Sequence, residues 1–96
     1  MALEIFWTDE AKKDLDNIIE YLESRWTDRE ISKFFNRLEK CLAHIQKAPH
    51  RSKDSLRKPG TKEYQHSPQT TIFYSYDNDK INLLRLWANP KDSTEL

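Results

Sequence analysis

The chain has 96 residues, a mass of 11.5 kDa and 36% hydrophobic residues, and its formal net charge is zero. A chain of this length is typical of one domain, so we expect a single domain over residues 1–96. One glycine disfavours a glycine-rich phosphate loop, and one cysteine, Cys41, excludes an intrachain disulfide. We expect a cytoplasmic protein, because the sequence has no signal peptide and no long apolar run, and a lone cysteine suits a reducing compartment.

The charges are unevenly distributed along the chain. Residues 1–32 carry nine acids and four bases, residues 33–62 carry two acids and nine bases, and residues 63–96 carry five acids and three bases. A basic centre between acidic flanks can attract a polyanion. Charge alone favours the simpler interpretation, a solvated helix face followed by a polar loop.

The first predicted elements are a short strand and a helix. Residues 3–7 alternate apolar and other residues, which is typical of a strand. Thr8 suits a helix N-cap, and Asp9 and Glu10 place negative charge in the first turn, where the helix dipole favours it. Apolar residues then recur at helical spacing, so we expect a helix from about residue 9 to residue 25. Its apolar stripe consists of Ala11, Leu15, Ile18, Leu22 and Trp26.

A second helix follows after a very short link. Thr27 and Glu30 have the spacing of a capping box, and Pro49 marks the end of the helix. Its apolar stripe consists of Ile31, Phe34, Phe35, Leu38, Cys41, Leu42 and Ile45. So short a link predicts an antiparallel helical hairpin.

The remainder of the chain predicts strands. Residues 50–62 are polar and basic, with Pro59-Gly60 as a turn, and we expect strands at 63–66, 70–76 and 80–88. Residues 89–96 form a polar tail. The expected fold is α+β: an N-terminal strand and an antiparallel helical hairpin packed on a small, mostly antiparallel sheet.

The sequence predicts neither a metal site nor a cofactor. The three histidines, His44, His50 and His66, do not have ligand spacing with each other or with Cys41, and Cys41 lies on an apolar stripe, as a buried inert thiol does. The carboxylate pairs Asp14/Asp16 and Asp77/Asp79 are better explained by solvation, on a helix exterior and in a turn respectively.

Three features nevertheless suggest a binding surface. The first is a group of cations that suits phosphates or a carboxylate-rich partner: Arg51, Lys53, Arg57, Lys58 and Lys62. The second is Arg85, a charge in an otherwise apolar strand, which needs either an acidic partner on a helix or an open groove. The third is a set of aromatic residues that can stack on bases but more often form core or cross-strand pairs, the interpretation we favour: Trp87, Tyr64, Tyr74 and Tyr76.

Two segments of the chain resemble RelE/ParE-type toxins of bacterial type II toxin–antitoxin operons. The first is the opening, Ile5-Phe6-Trp7-Thr8 with Ala11, Leu15, Ile18, Tyr21 and Leu22 at family spacing. The second is the closing hairpin from Ile72 to Trp87, and the order of elements agrees as well. The resemblance implies a growth-inhibiting toxin, associated with plasmid stabilisation and neutralised by a cognate antitoxin in a possible hetero-oligomer.

The resemblance implies two alternative targets. RelE-type members cut mRNA in the ribosomal A site without a metal, whereas ParE-type members poison DNA gyrase. Nuclease members commonly carry an arginine at the start of the third strand and a terminal His or Tyr, but this chain has Gln69-Thr70-Thr71 and Trp87-Ala88-Asn89-Pro90 there. The ParE-like branch is therefore favoured, although Ser75 stands where many ParE-like sequences have arginine.

Each alternative has its own candidate residues. A gyrase-binding toxin would use the cations Arg51, Lys53, Arg57, Lys58 and Arg85 together with Trp87 for its target or its antitoxin. A ribonuclease would use Lys62, His66 and Arg85. A non-toxic interaction module with the same fold is a third possibility. An exposed sheet edge would accept an antitoxin strand, and an acidic antitoxin tail would cover the basic segment.

Overall fold

A five-stranded sheet forms the centre of the computed structural model, which describes residues 3–56, 59–68 and 70–88. The strands lie in the order β1-β5-β4-β3-β2. The parallel pair is β1 with β5, and the other neighbours are antiparallel. The bounds are β1 Glu4–Trp7, β2 Lys53–Asp54, β3 Lys62–Ser67, β4 Thr70–Tyr76 and β5 Lys80–Ala88. The predicted mostly antiparallel sheet is confirmed.

Two helices, α1 (Asp9–Arg25) and α2 (Asp28–Lys47), connect β1 to the rest of the sheet. The Thr8 hydroxyl oxygen accepts a hydrogen bond from the Ala11 N–H at 3.2 Å, so the predicted N-cap of α1 is confirmed. The predicted capping box at the start of α2 is wrong, because the Thr27 side chain makes no capping hydrogen bond. The Glu30 and Ile31 N–H groups donate to the Thr27 carbonyl oxygen, at 3.0 and 3.2 Å.

The core lies between the helices and one face of the sheet. α1 packs mainly on β5, and α2 packs on β3. Burial of each large aliphatic side chain contributes about 1.5–3 kcal/mol. The buried apolar residues are Ala11, Ile18, Leu38, Cys41, Ile45, Ile72, Tyr74, Ile81, Leu83 and Leu86. They confirm that both predicted helical stripes face the sheet, except at Trp26, the last residue of the first stripe, which is 50% exposed.

The opposite face of the sheet remains accessible within the described residues. Strand register places Phe73 opposite Arg85 and Thr71 opposite Trp87, at positions that alternate with the core residues. Phe6, on the neighbouring β1, is 52% exposed on this side of the sheet. The accessible face therefore carries aromatic and cationic side chains.

Two short elements were not predicted. The segment expected to be a loop contains the 3₁₀ turn Pro49–Arg51 and the two-residue strand β2. The turn at Pro59-Gly60 is present, and Gly60 has a φ of 80°, which suits glycine. Arg57, Lys58 and the tail at 89–96 lie outside the described residues. No helix in the described ranges combines the length and apolar character that a membrane span needs.

Candidate functional site

Arg85 forms a two-point ion pair with α1. Its Nε donates to Oδ2 of Asp14 at 2.7 Å, and its Nη2 donates to Oδ1 at 3.0 Å. Of the two alternatives for this charge, the partner on a helix is present, although the Arg85 side chain stays 48% exposed. The hydrogen bond to Asp14 raises the pKa of Arg85. Our interpretation of Asp14 as a solvated carboxylate is wrong, since only 14% of its side chain is exposed.

The position of Asp14 follows from the short length of β1. This strand pairs with β5 only from Lys80 to Leu83, so the following residues of β5 lack a strand neighbour on that side. The Leu86 N–H donates to Oδ2 of Asp14 at 3.0 Å, and the Thr8 hydroxyl donates to the Leu83 carbonyl oxygen at 2.7 Å. The start of α1 thus satisfies the sheet edge where β1 ends.

Trp87 and Tyr76 lie at the surface. Trp87 is 38% exposed and Tyr76 is 39% exposed, so the core interpretation is wrong for both. The Arg85 guanidinium carbon lies 5.9 Å from the centroid of the Trp87 ring, within the range of a cation–π contact. Arg85 and Trp87 together present an exposed cation and an exposed aromatic ring on one strand.

The other two tyrosines pack inward. Tyr74 is fully buried, and its hydroxyl donates to the Pro49 carbonyl oxygen at 2.6 Å, which confirms the core interpretation. Tyr64 is partly buried against the core, and its hydroxyl lies 3.2 Å from Nδ1 of His44. Tyr64 also lines a groove between the end of α2 and β3, together with Lys47 and other residues.

His66 faces the core. It is 4% exposed, and its Nε2 lies 3.2 Å from the Phe34 carbonyl oxygen. A carbonyl only accepts, so Nε2 carries the proton. Burial lowers the pKa of His66, and its Nδ1 is buried without a hydrogen-bond partner among the described residues. His66 is therefore a neutral side chain beneath α2.

Lys62 fastens β2 to β3. Its Nζ donates to Oδ1 of Asp54 at 2.8 Å and to the Ser52 carbonyl oxygen at 3.1 Å. The hydrogen bond to Asp54 raises the pKa of Lys62, which keeps the amine protonated. The Lys62 amine therefore binds residues of the neighbouring segment and does not point into an open groove.

The three residues considered for RNA cleavage are not assembled by the sheet. Lys62 and His66 lie on β3 and Arg85 on β5, with β4 between them. Lys62 pairs with Tyr74, and Arg85 pairs with Phe73. Adjacent residues of a strand point to opposite faces, so the two cations lie on different faces of the sheet.

The remaining predicted cations lie near β2. Arg51 is exposed at the end of the 3₁₀ turn and lines the same groove as Tyr64. Lys53 is exposed, and its Nζ lies 3.9 Å from Oε1 of Glu63. Arg57 and Lys58 are outside the described residues, so their part in this surface stays a prediction.

A row of cations along α2 was missed by the sequence analysis. Each member is exposed, and successive members are three or four residues apart, which keeps them on one helix face. The α2 basic row consists of Arg29, Lys33, Arg37, Lys40, His44 and Lys47. The same helical spacing that identified the apolar stripe would have revealed it.

Metal-binding chemistry has no visible basis in the described part of the chain. No group of three or more His, Cys, Asp or Glu side chains lies close enough there to hold an ion. Cys41 is 6% exposed, and burial raises its pKa, which confirms a buried thiol.

Solved structures with the same fold include several toxins. The structure titled "Chromosomal ParDE TA system from P. aeruginosa" matches with a TM-score of 0.78 and 16% identity, covering 92% of this chain and 97% of that chain. The structure of the YoeB dimer from Staphylococcus aureus matches with a TM-score of 0.66 and 14% identity, covering 93% of this chain and 99% of that chain. The E. coli DinJ-YafQ toxin–antitoxin complex matches with a TM-score of 0.58 and 10% identity, covering 92% of this chain and 93% of that chain. These similarities establish the fold.

Sequence comparison identifies the family. A search of curated proteins gives no match. Residues 5–89 match the family described as "ParE toxin of type II toxin-antitoxin system, parDE", which spans β1, both helices and all later strands. The chain therefore belongs to the ParE toxin family of type II toxin–antitoxin systems.

Proposed function

We propose that this ParE-type toxin inhibits growth by binding and poisoning DNA gyrase, without cutting RNA. The observation that carries the proposal is the family match over residues 5–89. The side chains support a binding mode, because the exposed Arg85 and Trp87 are residue types that dominate the energetics of protein interfaces.

The states of the candidate catalytic residues argue against ribonuclease chemistry. Cleavage by a 2′-hydroxyl needs a proton acceptor and a proton donor within hydrogen-bond reach of the reacting phosphate. Buried His66 uses its Nε2–H on a backbone carbonyl, and Lys62 is held protonated by Asp54. Arg85 is paired with Asp14 and lies on the other face of the sheet from Lys62, so the two cations do not converge on one phosphate.

The accessible sheet face is the proposed gyrase contact. Phe6, Arg85 and Trp87 lie on this face, and an exposed aromatic ring beside an arginine suits a protein partner. Arg57 and Lys58 are proposed as additional cations that bind the target or the antitoxin.

Purified gyrase tests this proposal directly. We would measure supercoiling and DNA cleavage by gyrase with the toxin added, and compare Trp87→Ala with Trp26→Ala. Trp26 is a matched control because it is also about half exposed but lies at the end of α1. We expect wild type and Trp26→Ala to inhibit and Trp87→Ala to be at least tenfold weaker.

Four results would contradict the proposal. If wild-type toxin did not inhibit gyrase, gyrase would not be the target. If both tryptophan variants lost inhibition equally, the accessible sheet face would not be the contact. Cleavage of mRNA on translating ribosomes, with gyrase unaffected, would establish the ribonuclease alternative, and normal growth on expression would favour a non-toxic module.

An antitoxin is the expected partner, since this is a toxin of a type II system and two similar structures are titled as toxin–antitoxin assemblies. β1 is an edge strand of the sheet and offers a template for an added strand. We propose that an acidic antitoxin segment also covers the basic residues between 33 and 62. Binding of the protein encoded by the adjacent gene should then weaken as salt rises, and affinity indifferent to salt would refute the electrostatic contact.

A further inference from the structure

The α2 basic row has one acidic residue at helical pairing distance, Glu30, three residues before Lys33, and otherwise has only like-charge neighbours at that spacing. Exposed helices commonly gain stability from opposite charges three or four residues apart, whereas like charges at that spacing cost about 0.2–0.5 kcal/mol per pair. Arg29, Lys33, Arg37 and Lys40 place three such like-charge contacts in succession. No member of the row forms a salt bridge with another residue in the ranges 3–56, 59–68 and 70–88.

The helix dipole explains only one end of the row. A cation in the last turn of a helix is favourable, and Lys47 lies in that turn. Arg29 lies in the first turn, where a positive charge is unfavourable. Three like-charge contacts outnumber the single Glu30–Lys33 spacing, so the first four cations carry a net cost to α2 that a bound external anion would offset.

The shape of the row selects among anions. From Arg29 to Lys47 the helix rises about 27 Å, and Arg51 continues the positive charge into the groove beside Tyr64. We infer that this row binds the phosphate backbone of double-stranded DNA. The inference rests on the proposed function, in which the toxin acts on an enzyme whose substrate is duplex DNA.

The composition of the row favours duplex DNA over its alternatives. Single-stranded nucleic acids are usually held by aromatic rings that stack on the bases, and the row contains no Trp, Tyr or Phe. The adjacent Tyr64 ring is partly buried and lies edge-on to His44. The acidic antitoxin segment proposed above would reach the same cations by charge alone, so polyglutamate is the peptide to compare with the duplex. Phosphate contacts alone suit sequence-independent binding to a duplex.

Fluorescence anisotropy with a labelled 20-base-pair duplex tests this inference on the full chain. Five permanent cations, each neutralising one phosphate, give a slope of log affinity against log salt of about −4.5. Affinity should then fall about 500-fold between 50 and 200 mM salt. The variant Lys33→Gln/Arg37→Gln/Lys40→Gln should lower the slope to about −2, so that the same change in salt weakens binding only about 10- to 20-fold. At 50 mM salt this variant should bind at least tenfold more weakly than wild type.

The matched control removes the same charge from α1. Lys12→Gln/Lys13→Gln/Arg25→Gln changes three exposed cations outside the row, and we expect its affinity for the duplex to stay within twofold of wild type. Circular dichroism would verify that both variants fold. Equal weakening in both variants would overturn the inference, because net charge alone would then explain binding.

The remaining outcomes separate this inference from the proposed function. Single-stranded RNA or polyglutamate binding as tightly as the duplex, or no duplex binding at 50 mM salt, would overturn it. Gyrase inhibition that persists in the row variant, with no duplex binding by wild type, would remove only this inference. Duplex binding without gyrase inhibition would support DNA binding by the α2 basic row and would refute only gyrase as the target.

Discussion

Replacing Asp14 by alanine should destabilise the protein more than replacing its charge partner. The Asp14 carboxylate accepts from two nitrogens of Arg85 and also from the backbone N–H of Leu86. Arg85→Ala removes the first two contacts only. Asp14→Ala removes all three and leaves a backbone donor without an acceptor, at a residue that is 2% exposed.

The two losses differ in size. The ion pair is screened by solvent because Arg85 is half exposed, so it contributes at most about 1 kcal/mol to the free energy of unfolding. An unsatisfied buried donor costs about 1–3 kcal/mol. We expect Arg85→Ala to cost about 1 kcal/mol and Asp14→Ala about 3 kcal/mol. Asp14→Asn keeps an oxygen for the Leu86 N–H and should cost about 1 kcal/mol.

Thermal unfolding followed by circular dichroism measures these differences. For a domain of this size, 1 kcal/mol corresponds to a change in Tm of about 4–8 °C. Asp14→Ala should therefore melt at least about 10 °C below wild type, with the other two variants between them. The reasoning would be refuted if Arg85→Ala were as unstable as Asp14→Ala, or if Asp14→Asn gave no recovery.

Three further predictions concern buried groups. His66 has a lowered pKa in the folded state, so the unfolded chain binds the proton more readily and the free energy of unfolding should fall as the pH drops below about 6.5. His66→Gln should remove that dependence between pH 7.5 and 5, while an unchanged slope, with exposed His50→Gln as control, would contradict it. Tyr74→Phe loses the hydrogen bond to Pro49 and should cost about 1–2 kcal/mol in urea unfolding; a cost below about 0.3 kcal/mol would show that this bond contributes little. Cys41 should react with a thiol reagent about a hundredfold more slowly in the folded protein than in urea, because it is buried with a raised pKa, and equal rates would disprove its protection.

The helices and long strands are locally encoded. The helix expected over residues 9–25 and the strands expected at 70–76 and 80–88 occupy those bounds in the structure. Apolar spacing and the Thr8 cap are short-range features, which explains this agreement. The capping box expected at Thr27 is not formed: the Glu30 N–H donates to the Thr27 carbonyl oxygen, and the Thr27 side chain makes no capping hydrogen bond.

The short elements between α2 and β3 are not locally encoded. Both residues of β2 are exposed and polar, and they are recognised as a strand only through pairing with Lys62 and Glu63. The Ser55 N–H donates to the Thr61 carbonyl oxygen at 2.8 Å, which closes the turn at Gly60. Such pairing depends on the position of β3, and no periodicity within two residues can reveal it.

The sequence predicts that Arg85 needs a partner, but it does not identify that partner. An arginine in an apolar strand signals the need for a partner, but the partner is 71 residues away. Asp14 reaches it because β1 ends at Trp7 and leaves the later part of β5 open. A difference of one or two residues in strand length decides this, and hydrophobic patterns do not fix strand ends that closely. The α2 basic row, in contrast, was available from spacing alone.

Pulse labelling after induction of this chain in a bacterial host, without its antitoxin, tests the proposed function most directly. DNA and protein synthesis would be followed together during the first minutes, in wild type and in Trp87→Ala. A gyrase poison predicts that DNA synthesis fails first and that Trp87→Ala delays the failure. Protein synthesis failing first, with transcripts cut on ribosomes, would contradict the account and direct attention to Lys62, His66 and Arg85.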